Sequence, residues 1–197
     1  MQKSVRGQLN LAMDQNGRVS YTQVGTGSLS NNAQQLVNAV NDHSITVNVV
    51  AENTKSTSTG NLYVGGAFMG NTVTTSPTGN TVSTLQEINP AVLSTADNYY
   101  GTHGSLTLHE VTESYQGALI TQASGVSVGP ATQADATNPN SVYMQAHNAA
   151  TPQNMTINQN IYDARGNQLQ SPYTGATRVD YTVQQGTRPA QTIMTYP

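Results

Sequence analysis

Four His and four Glu are spread over 197 residues, yet Leu108-His109-Glu110-Val111-Thr112-Glu113 places one His and two Glu within five positions. At that abundance, chance supplies on the order of two such strings per thousand chains. On a helix, His109 and Glu113 lie one turn apart on the same face, a spacing at which an imidazole and a carboxylate grip one ion together. Glu110 is turned about 100° from His109. It therefore stands beside such a site, in the place of a general base. A catalytic metal needs a third protein ligand and one open position. His147, in Tyr143-Met-Gln-Ala-His147-Asn-Ala-Ala150, is the expected third ligand. It completes a set of two His and one Glu that suits zinc. His103, Tyr99, Tyr100 and Tyr143 are candidate donors to developing negative charge, and Asp97 or His103 is a candidate to orient a ligand imidazole.

The string resembles the zincin metallopeptidase signature His-Glu-x-x-His, in which two His on one helical turn hold zinc and the intervening Glu takes a proton from water. It departs from that signature at Glu113, where the family has His. In zincins whose third ligand is a glutamate, that residue comes from a separate downstream helix, so here His and Glu exchange places. The His-Glu-x-x-Glu helix followed by Tyr-x-x-Ala-His-Asn-Ala-Ala also resembles small metallopeptidase-like domains at the ends of bacterial RHS and polymorphic-toxin proteins. That similarity spans roughly residues 100–155. Ile161-Tyr-Asp-Ala-Arg-Gly-Asn-Gln-Leu169 resembles a single YD-type repeat of RHS proteins, and Met13-Asp-Gln-Asn-Gly-Arg-Val19 is similar to it more faintly; both also read as hairpin turns.

The resemblance implies a zinc-dependent hydrolase acting on a peptide bond, with His109, Glu113 and His147 on zinc and Glu110 as base. It also implies a peptide or protein substrate, an immunity protein or parent polypeptide as partner, and delivery as part of a larger secreted bacterial protein. In zincins the edge strand of a mixed sheet aligns the extended substrate, a role that Ile45–Ala51 or Val82–Ile88 would fill here. The alternative is a β-rich binding or structural module without chemistry, or a pseudo-enzyme that keeps the fold and has lost the metal.

The elements that must position these residues are legible as periodic segments. Leu9–Met13 and Val19–Val24 flank Asp14-Gln-Asn-Gly17, a hairpin signal. Ala33, Leu36, Val37 and Val40 recur at helical spacing after Ser30-Asn31, and Ile45–Ala51 reads as a strand. Residues 53–62 read as a loop, and Tyr63–Gly70 as a glycine-interrupted strand where the backbone bends or comes close to something. Val73, Val82, Leu85 and Ile88 mark short strands ending at Asn89-Pro90. Gly104–Ile120 is the strongest helix, capped by Ser105, with Leu108, Val111, Tyr115, Ala118 and Leu119 on one apolar face. Ser141 caps a second helix, Val142–Ala150, stopped by Thr151-Pro152. Met155–Tyr162 and Val179–Val183 read as strands of the tail. The expectation is one α+β, zincin-like domain over 1–197, with a small mixed or antiparallel sheet, an active-site helix and a second helix downstream. Residues 1–100 form its sheet-rich half with one helix, 101–155 its metal-site helices, and 156–197 its β-rich tail.

Composition narrows the function classes. Seven Lys and Arg scattered through an acidic chain leave no basic footprint for nucleic acid. No run of 18 apolar residues occurs, so no membrane span is expected, and residues 1–30 lack a signal-peptide pattern. With no Cys there is no disulfide framework and no thiolate metal site. Gly65-Gly66 and Gly70 lack the Lys of a phosphate loop, no Gly-x-Ser-x-Gly elbow occurs, and His43 reads as the end of a helix. The spacing of Glu110 and Glu113 on one helix does not set them across a substrate in the glycosidase manner.

Overall fold

The computed structural model describes residues 1–153 and 155–197. Among these it contains four α-helices and eight strands in three sheets, an α+β architecture. The first sheet is an antiparallel hairpin of β1 (Leu9–Met13) and β2 (Val19–Gln23). In its turn Asp14 Oδ1 accepts from the N–H groups of Asn16 and Arg18, while Gly17 takes a φ of 78°. That backbone region favours glycine because it has no Cβ. The other string similar to a YD repeat folds likewise: Asp163 Oδ1 accepts from Arg165 and Asn167 N–H, with Gly166 at φ 82°.

Helix α1 (Asn31–Asn41) is capped by the Ser30 hydroxyl, which accepts from Ala33 N–H. It leads into the second sheet, of β3 (Ile45–Ala51), β4 (Gly66–Ser76) and β5 (Gly79–Ile88) in the order β3-β5-β4. Strand β3 runs parallel to β5, and β4 antiparallel to it. Val82–Ile88 therefore lies within the central strand and has no free edge, which removes it as an edge for a substrate.

The sequence pattern predicts one helix before residue 100, and the structure has two. Helix α2 (Pro90–Tyr100) starts at Asn89, whose side chain accepts from Ala91 and Val92 N–H, with Pro90 in the first turn. Asn-Pro marks the end of a strand, whereas Pro in the first helical turn is equally a start signal. Helix α3 (Ser105–Ser124) differs at its expected cap. Ser105 makes no capping bond, and the N-cap is Gly104. The buried Asp97 of α2 takes over instead, accepting from Gly104 N–H at 2.8 Å, Leu106 N–H at 3.3 Å and the Thr102 hydroxyl at 3.0 Å. Helix α4 (Val142–Ala149) is capped as expected, with the Ser141 hydroxyl accepting from Met144 N–H. The third sheet, antiparallel, is β6 (Ile157–Tyr162), β7 (Arg178–Val183) and β8 (Gln191–Tyr196).

Three apolar clusters hold these parts together, and α3 enters each of them. Leu106 joins Val92, Leu93 and the third sheet's Val179, Tyr181 and Val183. Leu108 and Val111 join Val5, Leu9 and Leu36, while Tyr115 and Ala118 join Ile45 and Val82. Helix α3 is consequently buried over most of its circumference, including His109, Glu110, Thr112, Glu113 and Ser114. Among the described residues, no helix is long and apolar enough to cross a membrane. Because Asp97 carries the start of α3, Asp97→Ala leaves two backbone donors unmet. We expect it to lower the unfolding free energy of the metal-free protein by roughly 2–3 kcal/mol. Urea denaturation reads this directly, and a loss under about 0.5 kcal/mol would refute the capping role.

Candidate metal and acid–base site

Helices α3 and α4 bring together the three residues expected as ligands. One donor atom from each of His109, Glu113 and His147 lies within 4.8 Å of the others. His147 Nδ1 is 2.7 Å from Glu113 Oε2 and 3.1 Å from His109 Nε2, and His109 Nε2 is 3.5 Å from the same carboxylate oxygen. His109 and Glu113 are buried, whereas His147 is about a third exposed (31 %), so the cluster opens towards solvent on the α4 side.

The protonation pattern follows from one contact. His109 Nδ1 lies 2.6 Å from the Thr151 carbonyl oxygen, an acceptor only, so Nδ1 donates its proton there. In the neutral ring, Nε2 is then a lone pair facing His147 Nδ1 and a carboxylate oxygen. Such a convergence of acceptors requires a shared proton or a cation. Tetrahedral ligands at metal–donor distances near 2.05 Å sit about 3.3 Å apart, and the three separations here bracket that value. The carbonyl is itself held in place: Thr151 N–H donates to the Thr112 hydroxyl at 3.1 Å, and the two threonine hydroxyls are 3.2 Å apart.

The two carboxyls beside His109 differ sharply. Burial works against the Glu113 carboxylate, but hydrogen bonds from His109 and His147 outweigh it and hold the group below its ordinary range. Burial lowers the His109 pKa, yet the hydrogen bond with Glu113 and the charge of Glu110 raise it more, leaving it above its ordinary value. Glu110 faces the sheet instead. Burial first, and the Glu113 charge second, push its carboxyl up to about 8 against the pull of His109 and Gln86. Its Oε2 accepts from Gln86 Nε2 of β5 at 2.5 Å. Close to the same carboxyl lies Gly66 of β4, where an added Cβ would meet the carboxyl atoms at 1.9–2.2 Å. The glycine-interrupted segment thus does approach something closely, and that something is the expected base.

The remaining expected residues separate. Tyr143 belongs to the site: its ring centroid is 5.9 Å from that of His147 and 6.2 Å from that of Phe68, and burial with the charges of Glu113 and Glu110 raises its pKa. Tyr100 does not, because its hydroxyl donates to the carbonyls of Thr156 and Gln184 and so ties α2 to the third sheet. Exposed His103 pairs its Nδ1 with Asn98, Asp97 caps α3, and neither supports a ligand imidazole. The group that orients His109 is the Thr151 carbonyl. Residue type gives no signal for a main-chain oxygen, although Thr151 follows the His147 helix directly. Gln86 gives no sequence signal either, being one polar residue on an alternating strand.

The edge beside Glu110 is β4, not β3. Part of it is occupied: Asn71 and Val128 exchange backbone hydrogen bonds of 2.9 and 3.0 Å, and Ala131 N–H donates to the Phe68 carbonyl. Gly66 lies beyond that covered stretch, at the level of Glu110.

No protein-family model matches the chain, and neither a curated protein nor a solved structure does.

Gly66 has no positive φ, so Gly66→Ala tests the contact and not the backbone conformation. We expect a loss of about 1–3 kcal/mol from overpacking. Gly27→Ala, with nothing within 4 Å of the added Cβ, should be neutral or stabilising by a few tenths of a kcal/mol. Equal thermal stability of the two variants would mean that the Glu110 carboxyl swings aside freely and is not held against the strand.

Proposed function

We propose that the protein is a zinc-dependent hydrolase, a metallopeptidase acting on peptide or protein substrates. The observation that carries this reading is the convergence of His109 Nε2, His147 Nδ1 and Glu113 Oε2 beside the buried carboxyl of Glu110. Two imidazoles and one carboxylate are a donor set that zinc favours, with a fourth position left for water. The likeness of His109-Glu110-Val-Thr-Glu113 to the zincin signature supports the same assignment.

His109, Glu113 and His147 would hold the ion, which when bound supplies Lewis acidity that activates water and polarises a carbonyl. The protein's own groups do the rest. The Thr151 carbonyl keeps the His109 proton on Nδ1, leaving Nε2 free as a ligand. Glu110 accepts the proton of the attacking water and later returns it to the leaving amine. A dication nearby favours the charged form of Glu110, so its working pKa falls below the metal-free value of about 8. Tyr143, beside His147, is placed to donate to a developing oxyanion. The uncovered end of β4 at Gly66 offers main-chain groups for an extended peptide, in the manner of strand addition.

Elemental analysis of untagged protein should find about one zinc per chain, lost in His109→Ala and His147→Ala while both remain folded. Glu110→Gln should retain the metal and lose at least about a hundredfold in kcat. No metal after zinc is added back, or full activity in Glu110→Gln, would overturn the proposal. The base works as a carboxylate, so activity falls as the pH drops through its pKa. The acid limb of kcat/KM is expected between the ordinary 4.5 and about 8, and a limb outside that window would assign it to another group.

A further inference from the structure

We propose that Gln86 is the positioning residue for Glu110, an inference that rests on the reading of Glu110 as a general base. Gln86 lies on the central strand β5 with no exposed surface. Its Nε2 donates to Glu110 Oε2 at 2.5 Å, while its Oε1 is buried without a hydrogen-bond partner among the described residues. Beside the same carboxyl is the Gly66 backbone, so close that no side chain fits between. Glu110 therefore meets an amide on one strand and bare backbone on the next.

The unmet Oε1 identifies this as more than packing. A buried carbonyl without a donor costs stability, and an apolar residue of the same shape at position 86 would avoid that cost. Natural folds accept such a cost where a site needs it. The amide also has what the reaction cycle of a general base needs. While Glu110 is a carboxylate, Nε2 donates to it. Once Glu110 has taken the proton of water, with the O–H bond of water broken and that of the acid formed, the new acid is a donor, and Oε1 on the same planar amide is its acceptor. Turning the amide over exchanges the two roles. A Met at position 86 offers neither group.

The test is Gln86→Met in the full chain, compared with wild type. Gln86→Met removes the orphaned Oε1 but also the Nε2 donor of a buried carboxyl, so the deciding readouts are turnover and the Glu110 carboxyl itself, not the melting temperature. With zinc bound at the wild-type level, kcat on a peptide substrate is expected to fall at least tenfold, with KM within twofold. The second readout needs no turnover. The chain has four Glu, so 13C labelling of their carboxyl carbons resolves Glu110, identified by its absence in Glu110→Gln. In Gln86→Met that signal is expected to move in the metal-free protein. A Glu110 signal that does not move, or a wild-type kcat, overturns the proposal. If zinc-loaded wild type cleaves no peptide, the hydrolase reading fails by itself, and the Glu110 signal still decides whether Gln86 holds Glu110.

Discussion

A helix packed on every side must find a partner for each polar group it carries, and α3 carries an imidazole and two carboxyls into the interior. Isolated charges there would cost far more than the fold has to spare. Much of the local structure answers that constraint. His147 comes in on α4 to meet Glu113, the Thr151 carbonyl takes the His109 proton, and Gln86 reaches from β5 to Glu110. Thr112, between the motif's charged residues, bonds back to Leu108 and His109 and receives Thr151 N–H. It fixes the segment that follows α4.

The two carboxyls show how environment divides identical chemistry. Glu110 and Glu113 are three residues apart and repel each other, so both cannot ionise freely. Glu113 faces two imidazoles, which favour its charged form, whereas at Glu110 burial and the Glu113 charge outweigh the pull of His109 and the Gln86 amide. One is thereby suited to hold a cation and the other to exchange a proton. Paired groups whose surroundings drive their pKa values apart are a recurring basis for acid–base chemistry.

The periodic elements were legible because each has a local cause. The Asp14–Gly17 turn, the Ser30 and Ser141 caps, the Ile45–Ala51 strand and the body of α3 all stand where residue pattern predicts them. Helix α2 was hidden because Asn89-Pro90 ends one element and begins the next. The cap of α3 was hidden for another reason: Asp97 reaches it from eight positions upstream of Ser105, across a turn that only the packing of α2 on α3 sets. The apolar face read along α3 is real, yet its polar side is not solvated. Clusters built from the first strand, the second sheet and the tail enclose it, and none of these is a neighbour in sequence.

By itself the sequence determined which groups of this protein can do chemistry, because a helical turn fixes the spacing of His109, Glu110 and Glu113 whatever surrounds them. It also pointed to His147 as the one that meets them. Tertiary structure decided what each group is. It made β4 the strand beside Glu110, removed Tyr100, His103 and Asp97 from the site, and set Thr151 and Gln86 against His109 and Glu110. The reason is that protonation and orientation depend on burial and on acceptors a few ångströms away, supplied here by residues 24 to 42 positions distant along the chain.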